Sequence, residues 1–462
     1  MEAAVGRPLS GDYVVVVRRL DGTPMVIENE PLLRDGTPMP TLYWLVDREL
    51  VEAVSRLEGD GGVHRFEDLV DAGALARTHR LYAARRDARL PAGAAAAPSG
   101  GVGGTRLGVK CLHAHLANFL AGADDPVGAL VADEVDVAPW RVGERDDVVA
   151  AIDCGSNSTR LLIDAPGRSP VREMRITRLG EGVDAPGRLA VPALERVGAV
   201  LDEYAALARA AGVDRGLLVA TAAVRDATNR EEFLEDAARR TGLDVRVIRG
   251  VDEAALSYAG ATADLGRDPR ATVIVDVGGG STEIASRLDG GLVAFSMQLG
   301  CVRVTERALG SVATPQSRAR AEEMIAHELD RAMEALPALR ARAGNLRVVG
   351  LAGTVATLAQ MDAGLATYDR AAIHHRVLTR EAVRDWVRRL EVLTPAERLS
   401  IPGMVPGRED VLVAGLLVLD AVLARLGATE LIASESDILD GTVAWLRGVH
   451  RAGTMDPVEE SS

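Results

Sequence analysis

Residues 148–165 read VVAAIDCGSNSTRLLIDA. An apolar run ends on Asp153, turns through Cys154-Gly155-Ser156-Asn157-Ser158, and resumes as a second apolar run. The pattern predicts a buried strand, a tight polar turn and a returning strand. Gly155 admits the turn, and Ser156, Asn157, Ser158 and Thr159 set short hydrogen-bonding side chains beside exposed N–H groups. Such a turn either closes a plain hairpin or wraps an anion. The design returns at 271–287, ATVIVDVGGGSTEIASR. Here Asp276 ends the strand, Gly278-Gly279-Gly280 make the turn, and Ser281, Thr282 and Glu283 follow. Three consecutive glycines are conformationally costly and predict close approach of a ligand to the backbone. Two carboxylates, Asp276 and Glu283, flanking a phosphate cradle suit Mg²⁺, a hard ion that takes oxygen ligands. The repetition favours the anion cradle and predicts a duplicated domain with a cleft between its halves.

Outward from these loops, 346–359 (LRVVGLAGTVATLA) offers a third apolar strand running into a small-residue turn. Helical spacing at 191–212, 229–242, 315–337, 379–392 and 408–426 separates the strands, which implies α/β layers. Upstream of 148 the texture differs. DYVVVVRRL (12–20) and MVIENEP (25–31) predict a hairpin across Asp21-Gly22. Residues 47–58, 66–87 and 110–121 read as helices. LPAGAAAAPSGGVGG (90–104) reads as a flexible loop, and 124–147 as acidic and irregular. These shifts divide the chain into 1–147, an accessory α+β domain; 148–274 and 275–448, two α/β subdomains; and 449–462, a flexible tail.

With 462 residues, 47% apolar and 26% charged, the composition is that of a soluble globular protein of several domains. Aromatics are only 3%, so the cores must be built from Ala, Val and Leu. A net charge of −14 argues against binding to nucleic acid or an anionic membrane through the bulk field. An anionic ligand then needs local arginines, backbone N–H groups and a cation. Three cysteines, Cys111, Cys154 and Cys301, make no disulfide framework. No signal peptide is visible, and the longest apolar run, Val411 to Leu419, is too short to span a bilayer. A cytoplasmic protein is expected.

Cys111-x-His113-x-His115 would present three metal ligands from one side of a strand. The flanking LHAHLANFLA favours a helix, where only 111 and 115 share a face, and no cysteine pair completes a zinc set. The stretch is read as the core of the accessory domain.

The two loops resemble the phosphate loops of the actin and sugar-kinase superfamily. Together with RLGEGVDAPGRL (178–189), VATAAVRDATNREEFL (219–234), IRGVDEAALSYAGA (248–261), QLGCVRVTER (298–307), VGLAGTVATLA (349–359), PGREDVLVAG (406–415) and SESDILDG (434–441), they resemble the exopolyphosphatase and guanosine-pentaphosphate phosphohydrolase family over about residues 148–448. The resemblance implies two RNase H-like (actin-like ATPase) subdomains with an interdomain cleft. Glu253 matches the family's catalytic glutamate, a general base for water, with Asp252 as the acidic neighbour. Arg225 matches its phosphate-binding arginine. Gly155, Ser156, Asn157, Ser158, Arg160, Gly278, Gly279, Gly280, Ser281, Thr282 and Arg303 would hold phosphates. Asp153, Asp276 and Glu283 would hold Mg²⁺, with Mn²⁺ as the alternative ion. No His-Asp dipeptide or helical C-terminal domain follows, so this resembles the short form; His374-His375-Arg376 is read as packing.

The implied activity is metal-dependent release of orthophosphate from the end of inorganic polyphosphate. The alternatives are removal of the 5′ phosphate from guanosine pentaphosphate, and a non-catalytic sensor of either anion. A kinase would need an acceptor site and a nucleoside pocket, and is disfavoured. A homodimer is the candidate assembly. Segments at 21–31, 40–50, 54–63, 78–86, 101–104, 109–122 and 125–129 resemble a bacterial domain of unknown function. Its other members often carry cysteines where this chain has Arg19 and Val46-Asp47.

Overall fold

The computed structural model describes residues 11–450, apart from 20–21, 92, 95, 136, 138–139, 143–146, 184–186, 267 and 289–290. Asp21 of the expected hairpin turn and positions 451–462 of the expected tail therefore lie outside the described residues.

The hairpin forms as β1 (Tyr13–Arg19) and β2 (Pro24–Asn29), paired antiparallel with Val15 opposite Ile27. β3 (Tyr43–Leu45) adds to β2, and β4 (Trp140–Val142) adds to β1. Five helices cover this sheet: α1 (Arg48–Gly59), α2 (Gly62–Leu69), α3 (Ala72–Asp87), α4 (Leu112–Leu120) and α5 (Pro126–Glu134). Three details differ from the sequence expectation. The helix expected over 66–87 breaks at Val70-Asp71, because the Asp71 carboxylate caps α3 by accepting from the Ala74 N–H at 2.8 Å. The stretch from 124 is not irregular: Asp125 caps α5 in the same way, 2.9 Å from the Gly128 N–H. The end of the Gly/Ala-rich loop is pinned. Arg86, only 1% exposed, donates to the carbonyls of Pro40, Pro98 and Gly100.

The next two sheets share one plan. In the first lobe β5 (Val149–Cys154), β6 (Ser158–Asp164) and β7 (Val171–Ile176) form an antiparallel meander, and β8 (Arg215–Ala220) and β9 (Asp244–Val247) extend it in parallel from β5. The strand order is 7-6-5-8-9. Helices α6 (Val191–Ala211), α7 (Ala222–Arg225), α8 (Arg230–Thr241) and α9 (Gly250–Thr262) connect or follow them. In the second lobe β10 (Ala271–Val277), β11 (Thr282–Leu288) and β12 (Gly291–Met297) make the meander. β13 (Leu346–Leu351), β14 (Val377–Thr379) and β15 (Glu430–Ala433) complete the order 12-11-10-13-15-14. This is the duplicated α/β architecture expected from the two loops. Its helices are α10 (Cys301–Val304), α11 (Pro315–Ala335), α12 (Ala352–Asp362), α13 (Arg380–Glu391) and α14 (Leu412–Arg425). The small-residue turn expected after β13 is a single residue: Ala352, at φ 62°, turns the strand straight into α12.

The chain end crosses back. Helix α15 (Ile438–Arg447), which the sequence groups with the second subdomain, packs on β5 and α9 of the first lobe, and its Ile438, Leu439 and Val443 share a core with Val149, Ala151 and Leu256. β16 (Val449–His450) then pairs with β4 of the accessory sheet. The accessory domain grips the first lobe through α3 and α8, with Arg77 Nη1 3.1 Å from Glu231 and Arg85 paired to Asp244. Among the described residues no helix is long and apolar enough to cross a membrane.

Candidate active site

The two turns are built alike. Gly155 N–H closes loop 1 on the Ser158 carbonyl at 3.0 Å, and Gly278 N–H closes loop 2 on Ser281 at 3.1 Å. Neighbouring segments then hold the loop carbonyls from behind. Thr177 and Arg178 N–H groups donate to Asn157 O, and Gly180 N–H donates to Ser156 O. Cys301 and Val302 N–H groups donate to Gly278 O and Gly279 O, both at 2.9 Å. The N–H groups of Ser156, Asn157, Gly279 and Gly280 find no acceptor among the described residues. With carbonyls tied back and N–H groups free, each loop is an anion cradle.

The glycines serve a purpose the sequence does not announce. Gly155 and Gly278–Gly280 all avoid the left-handed region. A Cβ on Gly279 would stand 2.9 Å from Ser156 Cβ, and one on Gly280 2.7 Å from Ser156 Oγ. Loop 1 packs directly on loop 2, so the glycines admit the opposite loop rather than a ligand alone.

Between the loops lies a cavity of about 310 Å³. Asp153, Gly155, Ser156, Asn157, Ser158, Arg160, Glu253, Asp276 and Gly278–Ser281 line one part of it. It continues to Ala352, Gly353, Thr357, Tyr368, Arg408, Glu435 and Asp437. Four expected residues do not line it. Thr282 is fully buried and its hydroxyl donates to Leu299 O. Arg303 Nη2 donates to Asp226 at 2.7 Å. Glu283 stands behind the wall, holding the Ser296 hydroxyl at 2.6 Å. Arg225 donates to Ile248 O at 2.8 Å and lies 3.4 Å from Glu253 Oε2, so it orients the glutamate. The geometry gives Thr282 and Arg303 structural partners, where phosphate contacts were expected.

The duplicated plan puts Arg160 opposite Asp153 in β5–β6 and Glu283 opposite Asp276 in β10–β11. The two lobes therefore carry opposite charge at one cross-strand position. Arg160 spans Asp153, at 2.7 Å, and Asp437. Burial works against its charge, but Asp437 and Asp153 hold its pKa above the ordinary range. The other side is crowded with acids. Burial, and then the neighbouring Glu283, push Glu253 well above the usual carboxylate range, against the pull of Arg225. Burial raises Asp276 to about 6, with Asp437 adding to it, and Glu283 to about 7, with Asp276 adding to it. Asp153 is raised too, chiefly by burial.

Several buried polar atoms here have no partner among the described residues: Asp153 Oδ1, Asn157 Nδ2 and Thr357 Oγ1 on cavity-lining residues, and Arg225 Nη2 beside Glu253. Each unmade bond is costly in the interior, so together they mark where a ligand belongs. Arg408 adds a fifth feature. It is 7% exposed, and its side chain makes no hydrogen bond or ion pair among the described residues. Its guanidinium occupies the space a Cβ on Gly353 would take.

Sequence reasoning left Asp437, Glu435, Tyr368, Thr357 and Arg408 without roles. Asp437 reads locally as a helix cap, which it also is, accepting from the Leu439 N–H at 2.9 Å. His374 and His375, read as packing, stack on each other beside Asp264, with His374 part-buried and His375 exposed. His374 Nδ1 accepts from the Glu435 N–H at 3.0 Å, while Nε2 meets Asp264 at 2.8 Å. In the accessory domain Cys111 precedes α4 as its cap residue, His113 turns to Glu58, and fully buried His115 meets Asp125 at 2.9 Å. The pair that shares a side is thus 111 and 113, not 111 and 115.

Comparison with known proteins agrees with this architecture. Residues 169–444 match the model of the Ppx/GppA phosphatase family, and residues 15–133 match a family described as a protein of unknown function, DUF501. Exopolyphosphatase 2 of Mycobacterium tuberculosis is 39% identical over 318 residues, covering 65% of this chain and 98% of the relative. A crystal structure of the Aquifex aeolicus Ppx/GppA family member is 30% identical with a TM-score of 0.53, over 64% of this chain and 96% of that one. A crystal structure of an exopolyphosphatase-like protein is 35% identical with a TM-score of 0.59, over 64% and 97%.

Proposed function

The chain belongs to the Ppx/GppA phosphatase family and is a phosphoanhydride hydrolase, and from that premise we propose that it releases orthophosphate from the end of inorganic polyphosphate. The observation that carries this reading is the ring of unpartnered buried polar atoms around a cavity walled by two N–H cradles and the carboxylates of Asp153, Glu253 and Asp276.

The terminal phosphoryl group sits between the loops, its oxygens on the free N–H groups of Ser156, Asn157, Gly279 and Gly280. Such fixed donors stabilise charge that spreads over the equatorial oxygens as the bridging bond breaks. Glu253 accepts the proton of the attacking water. Its pKa, lifted by burial, gives it the basicity for that step, and Arg225 holds its Oε2 in place. The shortened polyphosphate leaves through the rest of the cavity.

A divalent ion fits this donor set. Asp153 Oδ1 is unpartnered, Asp276 lines the cavity, and the acids around them are short of positive charge. We take the ion to be Mg²⁺, with Asp153 and Asp276 as its protein ligands and Glu283 supporting from behind; when bound it neutralises phosphate oxygens.

Guanosine pentaphosphate is the second reading. The cavity continues past the loops to Thr357, Tyr368 and Arg408, an extension open to a nucleoside as well as to the further phosphates of a polymer. The test is phosphate release, with Mg²⁺, from long polyphosphate, short polyphosphate, guanosine pentaphosphate and ATP in parallel, with Glu253→Gln as control. Release from polyphosphate that fails in the variant supports the main reading. Release from the nucleotide alone replaces it. Binding without release from any substrate leaves a sensor.

A further inference from the structure

Outside the cavity, the accessory domain gathers three chemically unlike side chains at one point. Glu58 closes α1, Cys111 caps α4 and His113 lies in its first turn. Their ligand atoms all lie within 4.8 Å of one another, and all three residues are part-exposed. His113 Nδ1 is 3.1 Å from Glu58 Oε1 and 3.8 Å from Cys111 Sγ.

The histidine's other nitrogen shows what Nδ1 offers. Nε2 lies 3.1 Å from the Val51 carbonyl, which only accepts, so Nε2 carries the proton and also faces Ser55 Oγ at 3.1 Å. Nδ1 therefore faces a carboxylate and a sulfur, two groups that are themselves anions when ionised. Either a second proton, on Nδ1, or a metal cation satisfies all three groups at once. The supports are those of a metal site. A ligating histidine ordinarily donates its second N–H to a backbone carbonyl or carboxylate, and here Val51 receives it. The carboxylate is held as well, by the Leu112 N–H at 2.6 Å from Oε1.

We propose that Glu58, Cys111 and His113 bind a zinc-class divalent cation, with a fourth position open to solvent. Thiolate, imidazole and carboxylate together select a borderline-soft ion and disfavour Mg²⁺ or Ca²⁺. Zinc bonds of about 2.3 Å to sulfur and about 2.0 Å to nitrogen and oxygen, at the tetrahedral angle, place S and N about 3.5 Å apart and N and O about 3.3 Å apart. The 3.8 and 3.1 Å observed need only small side-chain adjustments to meet those values. Three protein ligands and a free position suit exchange or reaction rather than a closed structural site. His115, two residues on, is committed to Asp125 and plays no part.

The test uses the whole chain, stripped with chelator and supplied with excess Mg²⁺ to occupy the cavity acids. Titration with Co²⁺ is expected to give one equivalent of thiolate-to-cobalt charge-transfer absorption with tetrahedral d–d bands, displaced by Zn²⁺. Cys154 and Cys301 are buried, so this absorption reports Cys111. Cys111→Ala should abolish it, with an unchanged Tm of the metal-free chain as proof of folding. His113→Gln should weaken Co²⁺ binding by more than about 100-fold, since loss of an outer partner alone costs about 10–100-fold. Should either variant fail to fold, protection of Cys111 in the unaltered chain from iodoacetamide by one equivalent of Zn²⁺, mapped by mass spectrometry, decides. Absence of thiolate absorption, its persistence in Cys111→Ala, or full alkylation in the presence of Zn²⁺ would overturn the proposal.

Discussion

Arg160 and Glu283 hold equivalent places in the two lobes, and the difference between them organises the site. Arg160 neutralises Asp153 and Asp437 internally, whereas Glu283 adds a negative charge beside Asp276 and Glu253. The first lobe is nearly balanced and the second is short of positive charge, which is where a cation and a proton-accepting glutamate belong. Replacing Glu253 with Gln keeps the size and removes the base. We expect kcat to fall about 10²–10⁴-fold with KM little changed, measured as phosphate release at saturating Mg²⁺. A KM effect alone would mean that Glu253 only positions substrate. The crowded acids also predict how stability follows pH. Asp276 at about 6 and Glu283 at about 7 bind protons in the folded chain that the unfolded chain has released by about pH 5. The folded state thus binds more protons than the unfolded state between about pH 4 and 7, and this contribution to stability is lost as pH rises through the folded pKa values. Mg²⁺ competes with those protons, so the rise in Tm that it produces should grow from about pH 5 to about pH 8. A Tm shift independent of pH would place the ion elsewhere.

At the scale of elements, the site depends on two helices that meet through glycine. A Cβ on Gly260 of α9 would stand 1.9 Å from Asp437 O, and one on Gly441 of α15 1.9 Å from Leu256 O. Near its N-terminal end α9 carries Glu253, and Asp437 caps α15. The contact therefore fixes the base relative to the acid that clamps Arg160. Gly441→Ala should force the helices apart, costing about 1–3 kcal/mol of stability as overpacking does. It should also lower kcat/KM by more than a matched surface variant, Arg209→Ala on α6, does. Unchanged Tm and activity would show that the helices have room to separate. The same pair shows why some of the site was legible in the sequence and some was not. Loops 1 and 2 were readable because a strand, a turn and a strand lie within eighteen consecutive residues and the pattern repeats. Glu253 and Arg225 were found through resemblance, since a lone acid or arginine on a helix carries no local signal. Asp437 and Arg408 reach the cavity only because α15 and the turn before α14 fold back from far along the chain. The break at Asp71 was missed because a capping carboxylate inside an apolar helical pattern looks like an exposed helix residue. The glycines of loop 2 were recognised as demanding close approach, but the approaching group, Ser156, comes from the other lobe, which no local pattern announces.

On the scale of the whole molecule, the accessory domain behaves as a clamp on the first lobe rather than a lid. None of its described residues lines the cavity. Its hold has three parts: Leu81 and Ala84 of α3 pack on the first lobe's core, Arg77 and Arg80 meet Glu231 while Arg85 meets Asp244, and β4 pairs with β16 at the chain end. The last of these fastens the segment after α15, the helix that positions Asp437. Within the domain, Arg19 at the end of β1 pairs with Asp47, the cap of α1, at 2.6 Å. Separating 1–147 from 148–462 should then leave hydrolysis chemically intact, because the cavity keeps every lining residue, while removing apolar cover from α8 and stranding Glu231 and Asp244. We expect fragment 148–462 to retain kcat within a few-fold but to melt lower, at roughly 2–4 °C for each kcal/mol lost, and the lost Tm to return when 1–147 is added in trans. Arg80 is exposed and screened by salt, whereas the part-buried Arg77 and Arg85 pairs and the apolar contacts are screened little, so the part lost in high salt measures Arg80 and the part restored measures Arg77, Arg85, Leu81 and Ala84. A fragment that melts with the whole chain would mean that the fusion brings the two domains together without either depending on the other.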